Sequence, residues 1–231
     1  KKRVELGTLV EEKGFQIGIE VGVQKGLNAR DILSRWKSCR SFSLVDLWQK
    51  QTNYKDAAND VAHDSVFATV RKSLQPWQDK FSFYLMLSTE AAPRIPDQSV
   101  DFVYVDARHD YCGVMEDVSA YWPKLRPGGI MAGHDFHVNA DHPIQQSGQD
   151  WNVCANGTIH PGAVQGAVQD FFVQQQGLTV SVMYDEGARW PSWMVQKPTL
   201  AECITAEHER DAINERILEQ AGLGQVYTVT Q

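Results

Sequence analysis

A chain of 231 residues, 42% hydrophobic and 22% charged, carries enough apolar material for one substantial core, which favours one large domain over two small ones. The formal net charge is −7 and the lysines and arginines are scattered, so no basic stripe exists to grip a phosphate backbone and nucleic acid is not an expected partner. Mean hydropathy is −0.38 and no apolar run approaches the ~20 residues that a bilayer-spanning helix needs, so no membrane partner is expected. The chain opens at Lys1 without a methionine and without a charged-then-apolar leader, which reads as a processed or trimmed chain with any targeting segment out of view, and a cytoplasmic location is the working expectation. Cys39, Cys112, Cys154 and Cys203 form no CxxC pair and are too sparse for a disulfide framework, which reads as reduced thiols.

In chain order, short β-rich runs alternate with helical patterns, the signature of βαβ units and a mostly parallel sheet. Ile17–Gly22, Phe42–Asp46, Phe81–Leu87, Phe102–Asp106 and Gly129–His134 are apolar on both faces, as strands buried between two helical layers must be. Helices are expected over Leu27–Trp36, in the region Tyr54–Leu74, briefly after Ser88, and over Val114–Leu125, where Val114, Val118, Tyr121, Trp122 and Leu125 form one stripe. Phe136 to Pro161 reads as a long polar loop, a substrate lid with Trp151 and His160 or a surface excursion. Beyond it come a helix over Ala163–Gln175 and two strands, Thr179–Asp185 and Ser192–Gln196, joined by Glu186-Gly187, a connection so short that the pair must be antiparallel. Thr199 and Glu202 form a capping box opening a last helix, in which Ile213, Ile217 and Ala221 share a face and Gly222 closes the end. This divides the chain into a domain over 1–198, with a loop insertion at about 136–162, and a C-terminal helix and tail over 199–231. That helix packs on its own domain or on a second copy, and a homodimer is the expected oligomer.

The chemistry-bearing residues collect at the carboxyl ends of the expected strands, where open α/β sheets bind ligands. Glycines in Gly18-Ile19-Glu20-Val21-Gly22-Val23-Gln24-Lys25-Gly26 let a ligand approach the backbone, while Glu20 would repel a pyrophosphate and suits an ammonium group. Asp46, roughly 20 residues after that turn, can accept ribose hydroxyls, with Leu47 and Trp48 as an apolar edge beside it. Ser88, Thr89 and Glu90 follow the third strand as candidates for a base pocket. Asp106, His134 and Asp135 offer two carboxylates and an imidazole for a divalent cation; the histidine shifts the choice from Mg²⁺ toward Mn²⁺, Fe²⁺ or Zn²⁺, or toward no metal at all with His134 as an acid/base. His109, whose side-chain type titrates near neutrality, is the candidate general base, acting beside Asp106. Each has a plainer role open to it: helix cap, packing glycine or hydrogen-bonded core residue.

Taken as an ordered set, Ile19-Glu20-Val21-Gly22 with Gly26, then Asp46, then Asp106 with His109 and Tyr111, then Pro127-Gly128-Gly129 leading to Gly133-His134-Asp135 resembles the class I S-adenosylmethionine-dependent methyltransferases, and more narrowly the subgroup around the macrocin O-methyltransferases. The resemblance spans roughly Gln16 to Lys197. It implies a doubly wound, seven-stranded Rossmann-like α/β sheet of order 3-2-1-4-5-7-6 with the seventh strand antiparallel. It also implies that Glu20, Gly22 and Gly26 line the methionine part of the cofactor, Asp46 and Asp106 the nucleoside crevice, and Thr89 and Glu90 the region of adenine. In relatives of catechol-methyltransferase type, the positions of Asp106, His134 and Asp135 hold Mg²⁺ and that of His109 is a lysine base; this chain departs at His134, where a carboxylate is usual, and at His109. Methyl transfer to a hydroxyl of a small-molecule acceptor is the resulting expectation. The alternatives are a metal-independent N-methyltransferase, a cofactor-binding module without catalysis, or a nicotinamide-dependent reductase, which the missing GxGxxG argues against.

Overall fold

Parallel strands covered on both faces need apolar side chains pointing both ways, and β4 (Val100–Val105) meets that demand with all 6 residues buried. It lies near the centre of a sheet seen in a computed structural model of the chain, which describes residues 3–184 and 189–220. Around it stand β1 (Ile17–Val21), β2 (Ser41–Asp46), β3 (Phe81–Leu85), β5 (Leu125–Gly133), β6 (Ser181–Met183) and β7 (Ser192–Gln196). Their order is β3-β2-β1-β4-β5-β7-β6, parallel except that β7 runs antiparallel to both its neighbours, as the resemblance implied. The Glu186-Gly187 turn and Asp185 lie outside the described residues.

Strand alternation sends side chains into two cores. Ile19, Val21, Val45, Val103, Val105 and Met131 pack with α5 (Tyr111–Tyr121) and α7 (Ala163–Val168). Phe42, Leu44, Phe102, Tyr104 and Ile130 pack on the other face with α1 (Leu6–Glu12), α2 (Leu27–Arg35) and α3 (His63–Ser73). A short α4 (Ser88–Ala91) follows β3.

Several expected boundaries move. Helix α5 starts at Tyr111, capped by the Asp110 side chain accepting from Gly113 N at 3.1 Å, and stops at Tyr121 because Pro123 cannot continue it; Leu125 therefore opens β5 instead of closing the helix. The stretch from Tyr54 to Ala62 is loop with one 3₁₀ turn (Ala57–Asn59), so α3 begins only at His63. After α7 the chain continues as a π-type turn to Gln175, and β6 is only 3 residues long. The segment 136–162 is neither structureless nor a free excursion: it holds α6 (His142–Ser147) and an isolated bridge between Val153 and Ile159, and it buries Trp151 at 1% exposure.

The chain forms two compact units, Lys1–Lys197 and Pro198–Gln231. In the second, α8 (Leu200–Gln220) opens with the expected capping box: Thr199 N donates to Glu202 Oε2 at 2.7 Å and Glu202 N donates to Thr199 Oγ1 at 3.2 Å. Ala221, Gly222 and the Ile217 side chain fall outside the described residues.

Candidate functional site

The glycine turn after β1 is pulled tight by its neighbours. Gly22 N donates to Val45 O at 2.8 Å and Asp106 N to Val21 O at 2.7 Å, lacing three strand ends together. Gly22 has φ +84° and a Cβ there would collide with the Asp106 backbone, so glycine is required twice over. Asp46 pins the turn from the side: Oδ2 accepts from Val23 N (2.9 Å) and Gln24 N (2.8 Å), and Oδ1 from Trp48 N (2.8 Å). Only the bond from Trp48, two residues on, is visible locally; the other two donors come from the loop after β1.

In front of the turn lies a crevice of about 190 Å³ whose wall includes Gly22, Asp46, Leu47, Trp48, Ser88, Thr89 and Asp106. Glu20 stands behind this wall at 1% exposure, with Asn28 Nδ2 3.4 Å from Oε1. Among the described residues its Oε2 has no hydrogen-bond partner. Burial, reinforced by the charge of Asp106, pushes the Glu20 carboxyl well above the usual range. Gly26 caps α2 with φ +68°, outside the wall, and Glu90 is exposed on α4.

Asp106 is shared between the crevice wall and a small adjoining cavity lined by His109 and His134, and around it the remaining expected residues meet. One donor atom each from Asp106, His134 and Asp135 lies within 4.8 Å of the others, with His134 Nδ1 2.9 Å from Asp135 Oδ1. His109 joins them: its Nε2 is 3.1 Å from Asp135 Oδ2 and 3.4 Å from Asp106 Oδ1. Asp135 takes φ +57°, a left-handed conformation costly for most side chains, and this aims its carboxylate between the two histidines. Burial disfavours its charge, yet His109 and His134 hold its carboxyl far below the usual range. For both histidines burial likewise opposes protonation. It is outweighed at His109 by Tyr54, Asp135 and Asp106, and at His134 by Asp135 and Asp106, so both are raised.

The other side of His109 is held by a residue that sequence reasoning missed. Asp56 Oδ2 is 2.9 Å from His109 Nδ1 and accepts from Trp151 Nε1 at 2.8 Å, while its Oδ1 accepts from Ala58 N at 2.7 Å. The last bond is the only one visible locally, and it reads as an ordinary cap of a short turn. Tyr54 hydroxyl donates to Ala107 O at 3.0 Å and stands 3.2 Å from the same Nδ1.

Segment 136–162 packs against this cluster. Trp151 lies against His109 with ring centroids 4.6 Å apart and the planes tilted by 44°. Arg108 Nη2 donates to Asn53 O at 3.0 Å, and Asn53 Nδ2 donates to Ala155 O at 2.9 Å. His160 instead stacks on Tyr111 at 3.6 Å and is not in the crevice wall. A disulfide joins Cys112, in the first turn of α5, to Cys154 in segment 136–162. This corrects the expectation of four reduced thiols: a count too low for a framework does not forbid a single bridge once that segment folds back 42 residues to meet α5. Cys39 is buried and free, and Cys203 is exposed.

No helix among the described residues is long and apolar enough to cross a membrane. A family profile described as a methyltransferase domain matches residues 19–136, just over half of the chain. Solved structures share the fold. An O-methyltransferase from Bacillus cereus in complex with SAH superposes with a TM-score of 0.56 at 14% identity, over 84% of this chain and 80% of that one. A protein from Corynebacterium glutamicum gives 0.56 at 16% identity over 85% and 80%, and an O-methyltransferase family protein from Burkholderia thailandensis gives 0.55 at 15% over 85% and 57%. An uncharacterised protein, y4gI, of Sinorhizobium fredii is 44% identical over 50 residues, which are 22% of this chain and only 6% of that protein. With its matched profile running from β1 through the end of β5 and its sheet in the methyltransferase strand order, this chain belongs to the methyltransferase domain family of the class I, S-adenosylmethionine-dependent type.

Proposed function

We propose that this chain transfers the methyl group of S-adenosylmethionine to a hydroxyl oxygen of a small-molecule acceptor. The observation that carries this reading is a glycine-walled crevice bordered by Asp106, behind which stands His109, an imidazole whose Nδ1 faces Asp56 and whose Nε2 faces Asp106 and Asp135. S-adenosylmethionine, when bound, supplies an activated methyl group on a sulfonium. The chain's residues do the rest. Gly22 admits the ligand to the strand ends, Leu47 and Trp48 offer an apolar edge, and Asp46 Oδ1, with one backbone donor, keeps acceptor capacity toward a ribose hydroxyl. Glu20, buried behind the turn with an unpartnered oxygen among the described residues, suits the ammonium end.

Asp56 holds the proton on Nδ1 of His109, while Asp106 and Asp135 raise the imidazole and hold a second proton on Nε2; Nε2 becomes the basic atom toward the acceptor hydroxyl where a cation takes up those two carboxylates. Segment 136–162, as a lid with Trp151 over His109, excludes water from that transfer. Asp106, His134 and Asp135 fit a divalent cation by spacing and donor type, and such an ion would lower the hydroxyl's pKa and orient it. Most of the acceleration in this reading comes from alignment of the two reactants.

Calorimetry with S-adenosylhomocysteine, followed by methyl-transfer assays over a panel of hydroxylated small molecules with and without EDTA, tests the reading. Binding together with a methylated product is the expected result, and His109→Ala should lower turnover roughly 10²-fold or more at saturating substrate. A His109→Ala chain with unchanged turnover across neutral pH removes the base from the mechanism. Cofactor binding with no product from any acceptor leaves only a binding module.

A further inference from the structure

The crevice has a second end, on which none of the chemistry above draws. There Leu87, Ser88 and Thr89 face Gly113 and Asp117 of α5. Gly113 and Asp117 are one helical turn apart and so share a face; the glycine makes room for Arg108, whose Cβ a side chain there would meet at 2.7 Å, and the aspartate closes the wall. Asp117 is only 2% exposed, yet it lines the crevice, with the Ser88 side chain as its hydrogen-bond partner. Tyr121 hydroxyl fixes Ser88 from behind, donating to its carbonyl at 2.9 Å. No cation pairs closely with Asp117 among the described residues. Arg108, the nearest in effect, has its Nε committed to Asp110 at 2.6 Å. A carboxyl sunk in a crevice without a counter-charge costs stability.

The direction of the bound cofactor decides what this carboxyl meets. If the sulfonium lies toward His109, the base lies at the opposite end, between the apolar walls of Leu47, Met86 and Leu87. Adenine's ring nitrogens N1, N3 and N7 are acceptors, and its one hydrogen-bond donor there is the 6-amino group. We propose that Asp117 accepts a hydrogen bond from that amine and is the residue that selects adenine over other purines. The assignment rests on the cofactor reading above and moves base recognition from α4, where Glu90 points to solvent, to α5.

The test is calorimetry on the full chain with S-adenosylhomocysteine, its 6-deamino analogue and its 6-oxo analogue at pH 8.5. Wild type should prefer the amine over the 6-deamino compound by roughly 10- to 100-fold. In Asp117→Ala that preference should vanish while both compounds still bind. Asp117→Asn keeps the shape and adds a donor, so it should narrow the discrimination against the 6-oxo compound even if the alanine variant folds poorly. Glu116, exposed on the same wall, is the control, and Glu116→Ala should leave all ratios unchanged. The proposal is overturned if Asp117→Ala retains the wild-type preference, if Asp117→Asn rejects the 6-oxo compound as strongly as wild type, or if the preference resides in Glu116. A wild-type chain that binds none of the three removes the cofactor reading itself, and this assignment with it.

Discussion

Asp56 and Asp117 are both buried acids, the first against His109 and the second in the crevice wall, and their surroundings give them opposite ionisation. Burial works against charge on Asp56, but the hydrogen bond and charge of His109 outweigh it and hold the carboxyl below its ordinary value. Asp56→Asn should therefore leave S-adenosylhomocysteine affinity intact and lower kcat roughly 10²-fold, because the imidazole loses the partner that sets its tautomer. An equal loss in cofactor binding would make Asp56 merely structural. Asp117 has no such partner, and burial raises its carboxyl to about 7. Its folded state therefore holds a proton that the unfolded chain has already released, so its contribution to stability is lost as pH rises from about 4 to about 7. Asp117→Asn should match wild type near pH 4 and exceed it at pH 8 by up to roughly 4 kcal/mol, read by urea melts at the two pH values. Sequence spacing placed Asp106, His109, His134 and Asp135 at one edge because each ends a strand or opens the helix after it. It could not place Asp56, whose partner His109 is 53 residues away and is reached only when the loop after β2 folds across the end of β4.

Among the elements, the strands were legible because β4 and β5 are apolar on both faces, and the sheet order was legible through the motif order that the resemblance rests on. The lid was not. Its polar composition reads as solvent-facing loop, but Asn139, Asp141 and Asp150 spend their side chains on the lid's own backbone: Trp151 N donates to Asn139 Oδ1 at 2.6 Å, Val138 N to Asp141 Oδ2 at 3.2 Å and Asn152 N to Asp150 Oδ1 at 3.1 Å. The bridge from Cys112 to Cys154 then closes a loop of 42 residues, which the chain-entropy account values at about 4 kcal/mol. The double variant Cys112→Ser, Cys154→Ser should melt at correspondingly lower denaturant and be cut faster within 136–162 by a dilute protease. An unchanged cleavage rate would mean that the polar contacts alone hold the lid.

For the molecule as a whole, every residue assigned to the site lies in Lys1–Lys197, and that unit carries both hydrophobic cores. A chain ending after Lys197 should therefore bind S-adenosylhomocysteine within about threefold of the full chain, since that is a change of less than 1 kcal/mol. A larger loss, measured by calorimetry, would bring the C-terminal unit into the site. The covalent tie between Cys112 and Cys154 also turns the polypeptide between them into a ring threaded through β5 at the heart of the sheet. A single peptide-bond break inside that ring, for instance beside Gly148, leaves one covalent particle of unchanged hydrodynamic size. Such damage stays hidden on a non-reducing gel and splits into two bands only after thiol treatment.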